Sequence, residues 1–183
     1  MRRLFFLLPT MFLAGVPLQA MADATRTVYP IPADVETIDG IVRAFFEVIS
    51  TPAGARPDQA RDASLHAPGA QIRLSRQKPG VGPDLAVLTL EQLYEKFGGP
   101  RPKNHFEREI HRVTQRFGNI AQVWSTYVTS DTPEGTPIDR GISSIHLYFD
   151  GKRWWITGWL DEAEYPGNPI PSDFLPTTSP QAQ

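Results

Sequence analysis

Two runs of alternating apolar and polar residues, each folded about a short glycine-containing turn, dominate the second half of this 183-residue chain. The first runs from His105 to Phe117, turns at Gly118-Asn119 and returns from Ile120 to Ser130. The second runs from Gly141 to Phe149, turns at Asp150-Gly151 and returns from Lys152 to Asp161. Short Gly/Asn/Asp turns between alternating strands are the strongest local hairpin signal. A long antiparallel meander of this kind needs something packed on one face. The segment ahead of it supplies amphipathic helices.

Asp34 stands where a helix N-cap is expected, before Val35 to Ile49. Ile38, Ile41, Val42, Phe45 and Ile49 recur at helical spacing, with Glu36, Asp39, Arg43 and Glu47 opposite. A second helix is expected over residues 57–66, entered through Pro57. Thr89-Leu-Glu-Gln92 matches a capping box and predicts a third, through Phe97. Between them Ala70 to Leu74 reads as a short strand, and residues 76–84, with Pro79, Gly80, Gly82 and Pro83, as a loop. The expected architecture is α+β: a curved antiparallel sheet forming a cone, with three N-terminal helices on its concave face. It occupies residues 34–163 as one domain, between an extended segment at 23–33 and a Pro-rich tail at 164–183. That tail is expected to dock through Ile170, Phe174 and Leu175.

The first 22 residues follow the grammar of a secretory signal peptide: Met1-Arg2-Arg3, an apolar stretch from Leu4 to Leu18, then Ala20-Met21-Ala22 as a cleavage site. The apolar stretch is short of the roughly 20 residues that span a bilayer. The expectation is a periplasmic or secreted protein cut after Ala22, with no stable membrane insertion after processing. Loss of Arg2 and Arg3 leaves sixteen Lys plus Arg against twenty Asp plus Glu, a net charge of −4. Such a balance offers no electrostatic footprint for nucleic acid. With no cysteine, disulfides, thiolate metal sites and a cysteine nucleophile are excluded.

Two-residue turns fix register, so each strand's faces follow. In the second hairpin Leu147 is expected opposite Trp154, Ile145 opposite Ile156 and Ser143 opposite Gly158, on the side that meets the helices. The other side pairs His146 with Trp155 and Ile142 with Trp159. In the first hairpin Val113 falls opposite Trp124, His111 opposite Thr126 and Glu109 opposite Val128. Because Arg108, Arg112 and Arg116 share the other side, the His111/Trp124 side is expected to line the interior. The predicted ligand pocket is therefore His111, Trp124, Thr126, Ser143 and Trp154. His111 with Glu109 is the best acid/base candidate, since residues two apart on a strand point the same way and a nearby carboxylate raises an imidazole's pKa. An exposed polar strip is the simpler account of that pair, so no catalytic set is committed. His105, Glu107, Glu109 and His111 lie on one strand without a second cluster, and neither a metal nor another cofactor is expected.

Several motifs carry a likeness. Phe117-Gly-Asn-Ile-Ala121, Val123-Trp-Ser-Thr-Tyr127, Arg140-Gly-Ile-Ser-Ser144, Asp150-Gly-Lys-Arg-Trp-Trp-Ile156 and Asn168-Pro-Ile-Pro171 together resemble the nuclear transport factor 2-like superfamily, polyketide cyclases included. Within it they look like an exported bacterial subgroup of unknown function, over roughly residues 34–175. The resemblance implies the cone fold with an internal cavity. Its enzymes, such as ketosteroid isomerase, place a carboxylate base opposite a Tyr and a protonated Asp. No such set maps onto the interior face inferred above, and fold alone does not transfer activity. The expected function is binding of a small apolar or amphipathic molecule. The alternatives are an isomerase, dehydratase or cyclase using His111 with Glu109, and a homodimer built on the outer sheet face.

Overall fold

Ile41, Val42, Phe45, Phe46 and Val48 are all buried on one side of helix α2 (Ile38–Ile49), and this stripe is the centre of the fold. The computed structural model describes residues 27–177, so the signal-peptide reading of residues 1–22 lies outside the described part. Burying each such side chain is worth about 1.5–3 kcal/mol. The helix begins later than expected. Thr37 is its N-cap, with its hydroxyl accepting from the Gly40 amide at 2.9 Å. Pro32 opens a separate one-turn helix, α1 (Pro32–Val35), inside the segment expected to be extended. Asp34 lies within that turn, 1% exposed, and accepts from Arg61 at 2.7 and 2.9 Å and from Arg43 at 3.2 Å. A buried carboxylate held by two guanidiniums ties α1 and α2 to α3 (Gln59–Leu65). Helix α3 is entered through Asp58 rather than Pro57, because the Asp58 side chain accepts from the Arg61 amide at 3.0 Å. The capping box at Thr89 and Gln92 forms as read and opens α4 (Leu90–Phe97).

Six strands follow the order β2-β1-β6-β5-β4-β3: β1 (His66–Lys78), β2 (Gly82–Thr89), β3 (Phe106–Phe117), β4 (Ile120–Ser130), β5 (Asp139–Phe149) and β6 (Trp154–Ala163). The sheet is mixed, since β1 runs parallel to β6 while the other neighbours are antiparallel. The expected short strand at 70–74 is part of the 13-residue β1, and the expected loop at 76–84 is mostly β1–β2 ladder, turning at Pro79–Val81. The ends of this hairpin are solvated and polar, so no apolar alternation marked them.

The meander departs from the expected register in three places. The first hairpin turns at Gly118-Asn119 as read, with Phe117 opposite Ile120. Gly118 takes φ +54° and Asn119 has no positive φ, the pattern of a type II′ turn. Beyond His111↔Thr126, however, Ile110 bulges, and Glu109 pairs with Tyr127 instead of Val128. The second hairpin closes with four loop residues, because the Asp150 carboxylate accepts from the amides of Lys152 and Arg153 at 2.8 and 2.9 Å. Phe149 therefore faces Trp154, and Leu147 faces Ile156. A second bulge leaves Thr157 unpaired, so His146 faces Gly158 and Ile145 faces Trp159.

These shifts decide which side is inside. Ala121, Val123, Tyr127, Ile145, Leu147, Trp154 and Ile156 form one buried cluster with α2. The inner face of β4 is thus the Ala121/Val123/Tyr127 side, and the expectation for the His111/Trp124 side is overturned. The arginines misled because Arg112 and Arg116 reach the inner face at the sheet's edge. There Arg112 pairs with Glu109 at 2.6 Å and Asp39 at 2.5 Å, and Arg116 lies 5.0 Å from the Trp154 ring. The outer face of β3 and β4 is covered by the tail. Thr126 donates to the Phe174 carbonyl at 2.6 Å, and the Phe174 ring lies 5.7 Å from that of Trp124. That docking buries Thr126 completely from the outer side.

Candidate functional site

Beyond the solid cluster the inner face opens into a cavity of about 200 Å³ between α2, α4, the sheet and the loop after α4. Phe45, Val48, Leu74, Leu93, Phe97 and Trp159 give it apolar walls. Among these walls lie Asp161, Glu107, Tyr94, Asp62, Ser143 and Arg101. Such a mixture, mostly apolar with a few convergent polar groups, is the usual composition of a small-molecule site.

Both carboxylates at the sheet end of the cavity are there because of bulges. Without the bulge at Thr157, the alternation from Ile156 would put Gly158 and Leu160 inside. With it, Trp159 and Asp161 turn inward opposite Ile145 and Ser143. Without the bulge at Ile110, Glu107 and Glu109 would share the outer face with His111. With it, both lie inward. An extra residue that re-aims side chains beside a site is a recurring use of the bulge.

The polar groups are mostly matched to one another. Arg76 meets Asp161 at 3.3 Å, His105 Nε2 lies 2.9 Å from Glu107, and the Tyr94 hydroxyl donates to Asp62 at 2.8 Å. Burial pushes the Asp161 carboxyl up, partly offset by Arg76. Burial likewise raises Asp62, against the pull of His66 and the Tyr94 hydroxyl. The Tyr94 phenol is raised by burial and by the Asp62 charge beside it. Burial lowers Arg101, with Glu107 as the opposing influence. Two buried N–H groups on cavity-lining side chains, Trp159 Nε1 and Arg101 Nε, have no hydrogen-bond partner.

The expected pocket residues separate. Ser143 lines the cavity. Trp154 is 3% exposed in the solid cluster, its ring 5.3 Å from that of Phe149. His111, Trp124 and Thr126 share the outer face, away from the cavity, because β4 presents its other side to α2. Glu109 does not meet His111, since the bulge between them puts them on opposite faces. It accepts instead from Arg112 at 2.8 and 2.6 Å and from the Ser125 hydroxyl at 2.5 Å. Sequence reasoning missed Asp161, Arg76, Tyr94 and Arg101. A glycine inside an apolar strand, Gly158, was the available signal for the bulge that delivers Asp161. Among the described residues no group of His, Asp or Glu is arranged to hold a metal ion. No helix among them is long and apolar enough to cross a membrane.

No family model matches the chain. No curated protein matches it either. Solved structures similar to it include a nuclear transport factor 2-like protein of unknown function from Silicibacter pomeroyi, at 10% identity and a TM-score of 0.46, covering 69% of this chain and 92% of that one. Another, from Shewanella baltica and also described as nuclear transport factor 2-like and of unknown function, shows 17% identity and 0.45, covering 70% and 98%. A protein from Parabacteroides distasonis, provisionally assigned as a ketosteroid isomerase, shows 16% identity and 0.47, covering 73% and 98%. The curved, unclosed six-stranded mixed sheet around α2, rather than these distant likenesses, is what agrees with a nuclear transport factor 2-like cone, and that agreement concerns fold alone.

Proposed function

We propose that this chain is an exported domain whose cavity binds a small apolar or amphipathic molecule. The observation that carries the reading is the cavity itself, apolar-walled and edged by Asp161, Glu107, Tyr94 and Arg101. Trp159 forms part of the wall, so occupancy should change its fluorescence. Native mass spectrometry of the protein purified from its own host is the direct test, and an adduct released on denaturation is expected. A clean apo mass, with no thermal shift across a broad metabolite library, would refute the reading. Export is tested separately by the intact mass of the secreted form, expected to begin at Asp23.

A second reading, proton transfer within the cavity, is favoured by one observation. The Asp161 carboxyl is largely buried, raised by that burial above the ordinary carboxylate value and aimed inward, the setting of a carboxylate general base. It replaces His111 and Glu109 in that role, because those two do not share a face. If Asp161→Asn leaves turnover of a carbonyl substrate unchanged, Asp161 is not the base.

A further inference from the structure

Of the two arginines that line the cavity, Arg76 is paired with Asp161, whereas Arg101 makes no ion pair among the described residues. Its guanidinium donates only to the Ile49 carbonyl at the end of α2, at 3.5 Å, the outer limit of a hydrogen bond. Its Nε is buried with no partner. The backbone around it is fixed, for the Arg101 amide donates to Ala55 at 2.8 Å and its carbonyl accepts from Gly54 at 2.8 Å. The backbone of this half-buried arginine is therefore held in place while its Nε has no acceptor. Removing a guanidinium from water without a matched acceptor is unfavourable, and the usual remedy is a carboxylate.

The neighbouring acids do not serve it. Glu107 is turned to His105, Asp161 to Arg76, and Asp62 takes the Tyr94 hydroxyl. The buried Arg101 Nε is thus left without an acceptor from the protein, and a carboxylate in the cavity would supply one. The unpartnered indole N–H of Trp159 on another wall also calls for an acceptor rather than a donor. The space, about 200 Å³, equals about seven water volumes and is bounded by Phe45, Leu93 and Phe97. An apolar body with a single acidic head suits such a space.

We propose that Arg101 receives the carboxylate of a small monocarboxylic acid whose apolar body lies against Phe45, Leu93 and Phe97. The inference rests on the ligand-binding reading above and narrows it to a chemical class. Planar guanidinium and carboxylate match two donors to two acceptors, which an amide or alcohol of the same shape cannot do with charge. With Arg76 held by Asp161, a second carboxylate on the ligand would find no free guanidinium among the described residues of the cavity. It would also lie near Glu107 and Asp161, so a monoacid is favoured over a diacid.

The test is isothermal titration of the full mature chain with hexanoate and phenylacetate, beside the matched amides, amines and a dicarboxylate. The acids are expected to bind about 30-fold more tightly than their amides, and Arg101→Gln is expected to abolish that preference. Raised salt should weaken acid binding and not amide binding. If amides or amines bind as well as the acids, the carboxylate inference is overturned while the binding reading stands. If no member of any class binds, the carboxylate inference is likewise overturned, and the binding reading is decided by the native mass of the protein from its own host. The wild-type comparison of acid with amide decides the matter even if Arg101→Gln does not fold.

Discussion

The two ends of β6 illustrate opposite uses of one sheet face. From Trp154 to Ile156 the strand contributes to a solid apolar interior, with Leu147, Val123 and Ala121 against α2 and Arg116 lying over the Trp154 ring at its edge. From Trp159 to Asp161 the same face turns hollow and polar. Thr157, the extra residue between them, marks the boundary. The first end provides the stability that lets the second leave space and bury carboxyls. Sites are commonly built this way, on the less well packed part of a rigid scaffold.

The sharpest way to break the comparison is to hollow out the solid end. Ile156 is fully buried, and Ile156→Ala should cost about 2–5 kcal/mol, read as a lower denaturant midpoint at unchanged m-value. Leu93→Ala at the cavity should cost much less. Equal losses would mean that the two ends are packed alike. The boundary itself comes next. A Cβ at Gly158 would sit 2.7 Å from the Gln71 carbonyl oxygen, so Gly158→Ala must push β1 from β6 and should cost about 1–3 kcal/mol by the same assay.

At the hollow end the expected sign reverses. The folded carboxyl of Asp161 is raised above its ordinary 3.8, so the native state holds that proton more tightly than the unfolded chain. Its charge therefore disfavours folding above the raised value, and the penalty fades as pH falls toward 3.8 and is gone below it. Asp161→Asn should raise the denaturant midpoint modestly at neutral pH, and the gain should vanish in acid. A destabilised variant at pH 7 would show that the Arg76 pair outweighs burial. The smallest effect belongs to Asp150. Its carboxyl is held down to about 2 by the Trp155 indole N–H and by the amides of Arg153 and Lys152. The stability it contributes is present above the ordinary value of 3.8 and is lost only as pH falls through about 2. Asp150→Ala should lower Tm slightly at pH 7 and not at all at pH 1.5 or so.

The sheet was legible in the sequence wherever a turn and an alternation agreed. Gly118-Asn119 set the first hairpin correctly up to His111, and the Thr89/Gln92 capping box located α4. Legibility failed where a side chain or an unpaired residue intervened. Asp150 lengthened its turn through its own carboxylate, a bond that no apolar pattern records. Ile110 and Thr157 broke the period of two, and each break reversed every residue beyond it. Those reversals fell on the very segments that supply Glu107 and Asp161. The candidate site was therefore less readable than the fold that holds it. Tyr94 and Arg101 come from α4 and the loop after it, and reach the cavity through tertiary packing alone.

The docked tail has a consequence for assembly. Phe174 on Trp124 and the Thr126 bond to its carbonyl occupy the outer surface of β3 and β4 midway along their length. At the hairpin tips, by contrast, Phe117, Ile120 and Tyr148 remain open to solvent. A molecule that covers part of its own back in this way has less of that surface to share with a twin.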